Sequence, residues 1–97
     1  MIHHLNLANI PATYSIWYED VCLYIGATSE LRQRIASHLS TGVLKKLSNM
    51  PLEDLSLDYE LQPDLETAEL REKELLKKHH PIYNLAHNQS LFNNEGR

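Results

Sequence analysis

The side chains able to do chemistry in this sequence are polar groups standing where a helical pattern calls for apolar ones. On a wheel of about 100° per residue, Leu65, Ala68, Leu75 and Leu76 form one apolar stripe, and Glu72 falls near its middle. A charged carboxylate there costs several kcal/mol unless a cation, a metal or hydrogen-bond donors compensate it. Glu72 is therefore either a ligand or half of an ion pair, while Glu66, Glu69 and Glu74 lie off the stripe and read as solvated. Arg34 and His38 repeat the pattern, since they are four residues apart and border the stripe of Leu31, Ile35 and Leu39. A guanidinium clamps phosphate, and an imidazole beside it bonds a phosphate oxygen or moves a proton; the same spacing also suits an amphipathic surface helix. Tyr14 and Tyr24 read as core packing with each hydroxyl satisfied at an edge. The pairs His3-His4 and His79-His80 do not suggest zinc, because adjacent side chains converge poorly on one ion and no Cys pair accompanies them.

These residues need elements to hold them. Residues 13–17 and 21–25, rich in Tyr, Trp, Val and Ile and separated by the polar Glu19-Asp20, predict a hairpin. After Gly26, Thr28 or Ser29 offers a cap for a first helix running through Leu39, which Gly42 breaks. Residues 43–47 suit a short helical turn, and Asn49-Met50-Pro51 marks a loop. Residues 55–61 alternate strictly between apolar and polar, the pattern of a half-buried strand. Pro63-Asp64 starts a last helix over residues 65–79 that Pro81 stops, and the aperiodic tail at 86–97 is expected to fray.

With 42% apolar residues in a chain of 97, one compact domain is expected rather than two. No stretch approaches the roughly 20 apolar residues of a membrane span, and Met1-Ile2-His3-His4 lacks a signal-peptide layout, so a soluble cytoplasmic protein is expected. Cys22, the only cysteine, is flanked by Val21 and Leu23 and reads as a core position. The net charge of −4 argues against a nucleic-acid partner until its distribution is considered. Residues 52–69 hold seven acids and no Lys or Arg, whereas Arg32, Arg34, Lys45, Lys46, Arg71, Lys73, Lys77 and Lys78 leave room for a basic face elsewhere.

The run from Leu23 to His38, Leu-Tyr-Ile-Gly-Ala-Thr-Ser-Glu-Leu-Arg-Gln-Arg-Ile-Ala-Ser-His, resembles the second signature of the GIY-YIG nucleases. In that family a Tyr-Ile-Gly triplet ends the second strand, and the next helix carries an Arg ten residues after the Tyr, as Arg34 follows Tyr24. Residues 72–84 are similar to the segment closing the nuclease half of the bacterial excinuclease that belongs to this family, including its Glu, Pro and Asn. The resemblance covers about residues 12–85. It puts Tyr24 and Gly26 on the triplet, Arg34 on the helix arginine, Glu72 on the metal-binding glutamate and Asn84 on the closing asparagine. The family's gap of ten residues between its two tyrosines selects Tyr14 for the first triplet, where Ala12 and Thr13 replace the usual Gly and Ile. Ala27 stands where many members have a Lys, and His38 fits a position that is His or Tyr in many relatives.

The resemblance implies an α/β fold in which a small three-stranded antiparallel sheet is flanked by helices. It implies a metal-dependent DNA endonuclease acting in repair, recombination or mobile-element and restriction processes. Glu72 would hold one Mg²⁺ or Mn²⁺, Arg34 would clamp a non-bridging oxygen, and Tyr14 or Tyr24 would activate the water once its pKa fell from about 10. His38 would assist at the phosphate, and Asn84 would tie the last helix to the site. DNA, branched or damaged, is the expected partner, with a further protein supplying specificity. The alternatives are a nucleic-acid-binding module of the same fold without catalysis, and an interaction protein docking through its acidic segment.

Overall fold

A computed structural model describes residues 4–41 and 52–81. Strands β1 (Ala12–Tyr18) and β2 (Val21–Thr28) form the expected hairpin, followed by α1 (Leu31–Thr41), β3 (Leu55–Leu61) and α2 (Leu65–His79). Short 3₁₀ turns lie at His4–Asn6 and Leu52–Asp54. The sheet has the order β2-β1-β3 and both pairings are antiparallel, so the three-stranded α/β arrangement inferred above holds. The turn expected at residues 43–47, the loop at 49–51, the tail at 86–97 and Asn84 lie outside the described residues.

The hairpin contains one irregularity that sets the whole site. Tyr18 pairs with Val21 across the two-residue turn Glu19-Asp20, with Glu19 at φ 53°. Continued without interruption, that register would put Tyr14 opposite Ile25 and Tyr24 opposite Ser15. The register shifts between Ile16 and Trp17, leaving Leu23 without a cross-strand partner, and Tyr14 instead faces Gly26 while Ile16 faces Tyr24. Because side chains alternate across a strand, this one-residue bulge brings Tyr14, Tyr24 and Gly26 to the same side of the sheet.

Helix α1 covers that side. Leu31 and Ile35 are fully buried against a core that includes Ala12, Tyr14, Ile16 and Tyr24. Its start differs from the expected cap. Thr28 still belongs to β2, and its Oγ1 accepts from the Glu30 amide at 3.0 Å; the first helical bond runs from the Arg34 amide to the Glu30 carbonyl. Two further amides are satisfied from far along the chain, Leu31 N–H by the Ile10 carbonyl at 3.0 Å and Gln33 N–H by Asn9 Oδ1 at 2.9 Å.

Helix α2 packs on the opposite side, where the Thr13 hydroxyl donates to the Ala68 carbonyl at 2.8 Å and the Trp17 ring meets His79 edge-on. Asp64 caps it by accepting from Thr67 N–H, and His80, in the left-handed conformation at φ 48°, returns its amide to the Leu76 carbonyl ahead of Pro81. The apolar stripe is narrower than the wheel suggests. Ala68 is fully buried and Leu75 and Leu76 half-buried, but Leu65 is 39% exposed, lying one turn ahead of the helix's contact with the sheet. On β3, too, burial covers only part of the alternating face: Leu55 is buried and Leu57 half-buried, whereas Tyr59 and Leu61 lie open on this edge strand.

Candidate active site

The Tyr14 ring lies directly over Gly26. A Cβ at residue 26 would sit 2.6 Å from Tyr14 Oη and 2.7 Å from Cζ, so the glycine is there for close approach. Tyr14 is 1% exposed, and its Oη is 3.0 Å from Nε2 of His38, which α1 holds above the sheet. The three rings form a triangle, with centroids 6.1 Å apart for Tyr14 and Tyr24, 6.0 Å for Tyr14 and His38, and 5.8 Å for Tyr24 and His38. The sequence reading of buried tyrosines with satisfied hydroxyls holds for Tyr14, though its partner is another candidate residue rather than a sheet edge.

Burial pushes the Tyr14 phenol well above its ordinary 10.0, and the charge of an ionised Tyr24 pushes it further. Arg34 pulls it down, Glu72 raises it, and a hydrogen bond with Tyr24 favours the protonated form. Two conclusions follow. Tyr14 carries its proton throughout the neutral range, the downward pull of Arg34 being outweighed by burial. Arg34 from α1 and Glu72 from α2 also both act electrostatically on one hydroxyl, although their helices lie on opposite sides of the sheet. Strand β1 supplies Tyr14, β2 supplies Tyr24 and Gly26, and the helices bring Arg34, His38 and Glu72, so four of the expected side chains act on the hydroxyl of a fifth.

Residues 10–85 match the family described as GIY-YIG catalytic domain. The chain belongs to this family. Membership makes it a nuclease-type domain, and the match spans every strand and helix of the fold. A similar protein is UvrABC system protein C of Mycoplasma mycoides subsp. mycoides SC, 29% identical over 80 residues. The match covers 81% of this chain and 14% of that protein, so the chain spans a small part of its relative.

In this GIY-YIG domain Arg34 opens onto a polar cleft of about 270 Å³ lined also by Thr28, Ser29, Glu30, Gln33 and Ser37. Of these, only Arg34 is a site residue expected from the sequence. Gln33 and Ser37 share the four-residue spacing of Arg34 and His38, but small polar residues on a helix carry no apolar mismatch to reveal them. The helix start cannot serve the cleft as a ready anion site, because amides at Glu30, Leu31 and Gln33 are already bonded within the protein. Any grip on phosphate here falls to side chains, above all the exposed guanidinium of Arg34.

Among the described residues, no group of three or more His, Cys, Asp or Glu side chains converges as a metal cage. What the site offers is one half-buried carboxylate, Glu72. That suits a cation such as Mg²⁺, which keeps most of its waters and is held by one or two carboxylates together with substrate phosphate. Cys22 is buried, and burial raises its thiol to about 11, in keeping with a core cysteine. No helix among the described residues is long and apolar enough to cross a membrane.

Proposed function

We propose that this domain is a divalent-metal-dependent endonuclease hydrolysing phosphodiester bonds in DNA. The observation that carries the reading is the buried cluster of Tyr14, Tyr24 and His38, with Tyr14 Oη 3.0 Å from His38 Nε2, in a member of a nuclease-type family; the opposed influences of Arg34 and Glu72 on that hydroxyl support it.

Hydrolysis requires an oriented water, neutralised phosphoryl oxygens and a stabilised leaving oxygen. Arg34, at the mouth of the polar cleft, binds a non-bridging oxygen and fixes the phosphate against the cluster. Tyr24 orients the attacking water and, once ionised, takes its proton. Support for choosing Tyr24 is that burial and the charge of an ionised Tyr24 both hold the proton on Tyr14. Tyr14 then acts as a neutral hydroxyl, held by His38 and steadying Tyr24. Glu72 is the residue that would hold Mg²⁺ or Mn²⁺, which when bound neutralises phosphoryl charge and stabilises the leaving oxygen. The likeness to UvrABC system protein C favours a role in DNA repair inside the cell, with a partner or a further domain supplying the choice of substrate.

The test uses supercoiled plasmid and a branched DNA, each with Mg²⁺, Mn²⁺ or chelator. Wild-type protein is expected to nick both with metal, and Glu72→Gln and Arg34→Ala, folded by circular dichroism, to lose at least about 10²-fold in rate. Full activity in either variant overturns the assignment. DNA binding by the wild type without cleavage in any metal would identify a binding module instead.

A further inference from the structure

The row of side chains that crosses the sheet at the site does not stop at Tyr14. Gly26, Tyr14 and Tyr59 are consecutive cross-strand neighbours, so all three point to the α1 side. Exposure along the row changes abruptly: Tyr14 is 1% exposed and Tyr59, one strand further out, 45%. Leu61, opposite Ala12 on the same face, is 48% exposed. The same alternation turns Asp58 and Glu60, which pair with Ser15 and Thr13, to the α2 side, where Glu60 is bonded to Arg71 at 2.8 Å. Within β3 the α1 side thereby carries Leu55, Leu57, Tyr59 and Leu61 and no carboxylate, so an acidic segment presents an aromatic and aliphatic row beside the tyrosine cluster.

We infer that Tyr59, flanked by Leu61, is a substrate-positioning residue on which an unpaired nucleobase next to the scissile phosphate stacks. The inference rests on the nuclease reading for what lies in the site. Adjacent strands are about 4.8 Å apart, so whatever covers Tyr59 belongs to the same substrate that meets Tyr14. An exposed phenol ring takes the face of any base, and because β3 turns Asp58 and Glu60 to the other side, its own carboxylates do not crowd the neighbouring phosphates. A base inside an intact duplex is already stacked on both sides, so the shelf selects DNA with a flap, bulge or frayed nucleotide beside the cut.

The experiment compares wild-type, Tyr59→Ala and Tyr59→Phe proteins on a flap DNA and on a fully paired duplex of the same sequence. Binding is followed by fluorescence anisotropy in chelator, cleavage by KM and kcat in Mg²⁺ or Mn²⁺, and folding by thermal melting. Tyr59→Ala is expected to raise Kd and KM for the flap about tenfold, leave kcat and the duplex values unchanged and melt as the wild type does; Tyr59→Phe restores flap binding. Equal affinity of wild type and Tyr59→Ala for the flap, equal losses on flap and duplex, or no rescue by Phe overturns the shelf. Cleavage by a wild type that does not need Tyr59 removes the shelf and keeps the nuclease. Flap binding that depends on Tyr59 without cleavage in any metal does the reverse, and a wild type that binds neither DNA removes both.

Discussion

On the α1 side of the sheet the polar groups are enclosed and bonded to one another, Tyr14 to His38 at 3.0 Å beneath a covering helix. On the α2 side they are open ion pairs, Arg71 to Glu60 at 2.8 Å and to Glu74 at 3.0 Å, beside a cleft of about 320 Å³ lined in part by Trp17, Lys78 and His79. The difference lies in the dielectric surroundings. A charge is felt strongly at a buried hydroxyl and weakly between half-exposed side chains, so charges count for more at the enclosed Tyr14 hydroxyl than in the open Arg71 pairs that hold α2 to an edge strand. Under the proposed nuclease reading it also bears on how a net-acidic chain would take DNA, since β3 turns Asp58 and Glu60 away from the side where Tyr14 lies.

The comparison breaks most sharply at Gly26. Gly26→Ala forces the Tyr14 ring off its seat and out of register with His38, and cleavage of plasmid is expected to fall about 10²-fold, with a loss of about 1–3 kcal/mol in denaturant unfolding. Tyr14→Phe keeps the ring and removes the hydroxyl, costing about 1 kcal/mol and a smaller part of the rate. It also isolates a pH effect. Because the folded pKa of Tyr14 lies well above 10.0, its contribution is complete below pH 10 and is lost as pH rises toward the folded value. Wild-type stability should therefore decline above pH 10 more steeply than that of Tyr14→Phe, and parallel curves would contradict the burial argument. The opposite side should respond little: with side chains 37% and 48% exposed, the Arg71–Glu60 pair is worth at most about 1 kcal/mol, and Arg71→Ala should cleave as the wild type does. Smallest of all, Glu19→Gly relieves the left-handed φ of 53° in the hairpin turn and should raise the melting temperature by a few degrees without touching activity.

Much of this was legible in the residues. Glu72 stands out as a carboxylate on an apolar stripe and Arg34 as a guanidinium beside one, which makes both candidates, because a mismatch between side chain and helix face is a local property. The Asp64 cap and the stop at Pro81 were legible for the same reason. Less visible was the start of α1, whose Leu31 and Gln33 amides depend on Ile10 and Asn9 at the far end of the hairpin. Tyr59 looked like one more apolar position of an alternating strand, since alternation reports which side a residue takes and not whether anything covers that side.

The sequence by itself determined the elements, their order, the residue types of the site and the helix faces that carry them, all of which follow from periods of two and 3.6 residues. Tertiary structure alone decided that the two tyrosines share one face of the sheet. A two-residue turn without a bulge would have sent Tyr24 to the other face from Tyr14, and the single unpaired Leu23 reverses that outcome. Register is a property of two strands in contact, set by how both pack, and no spacing within one strand encodes it.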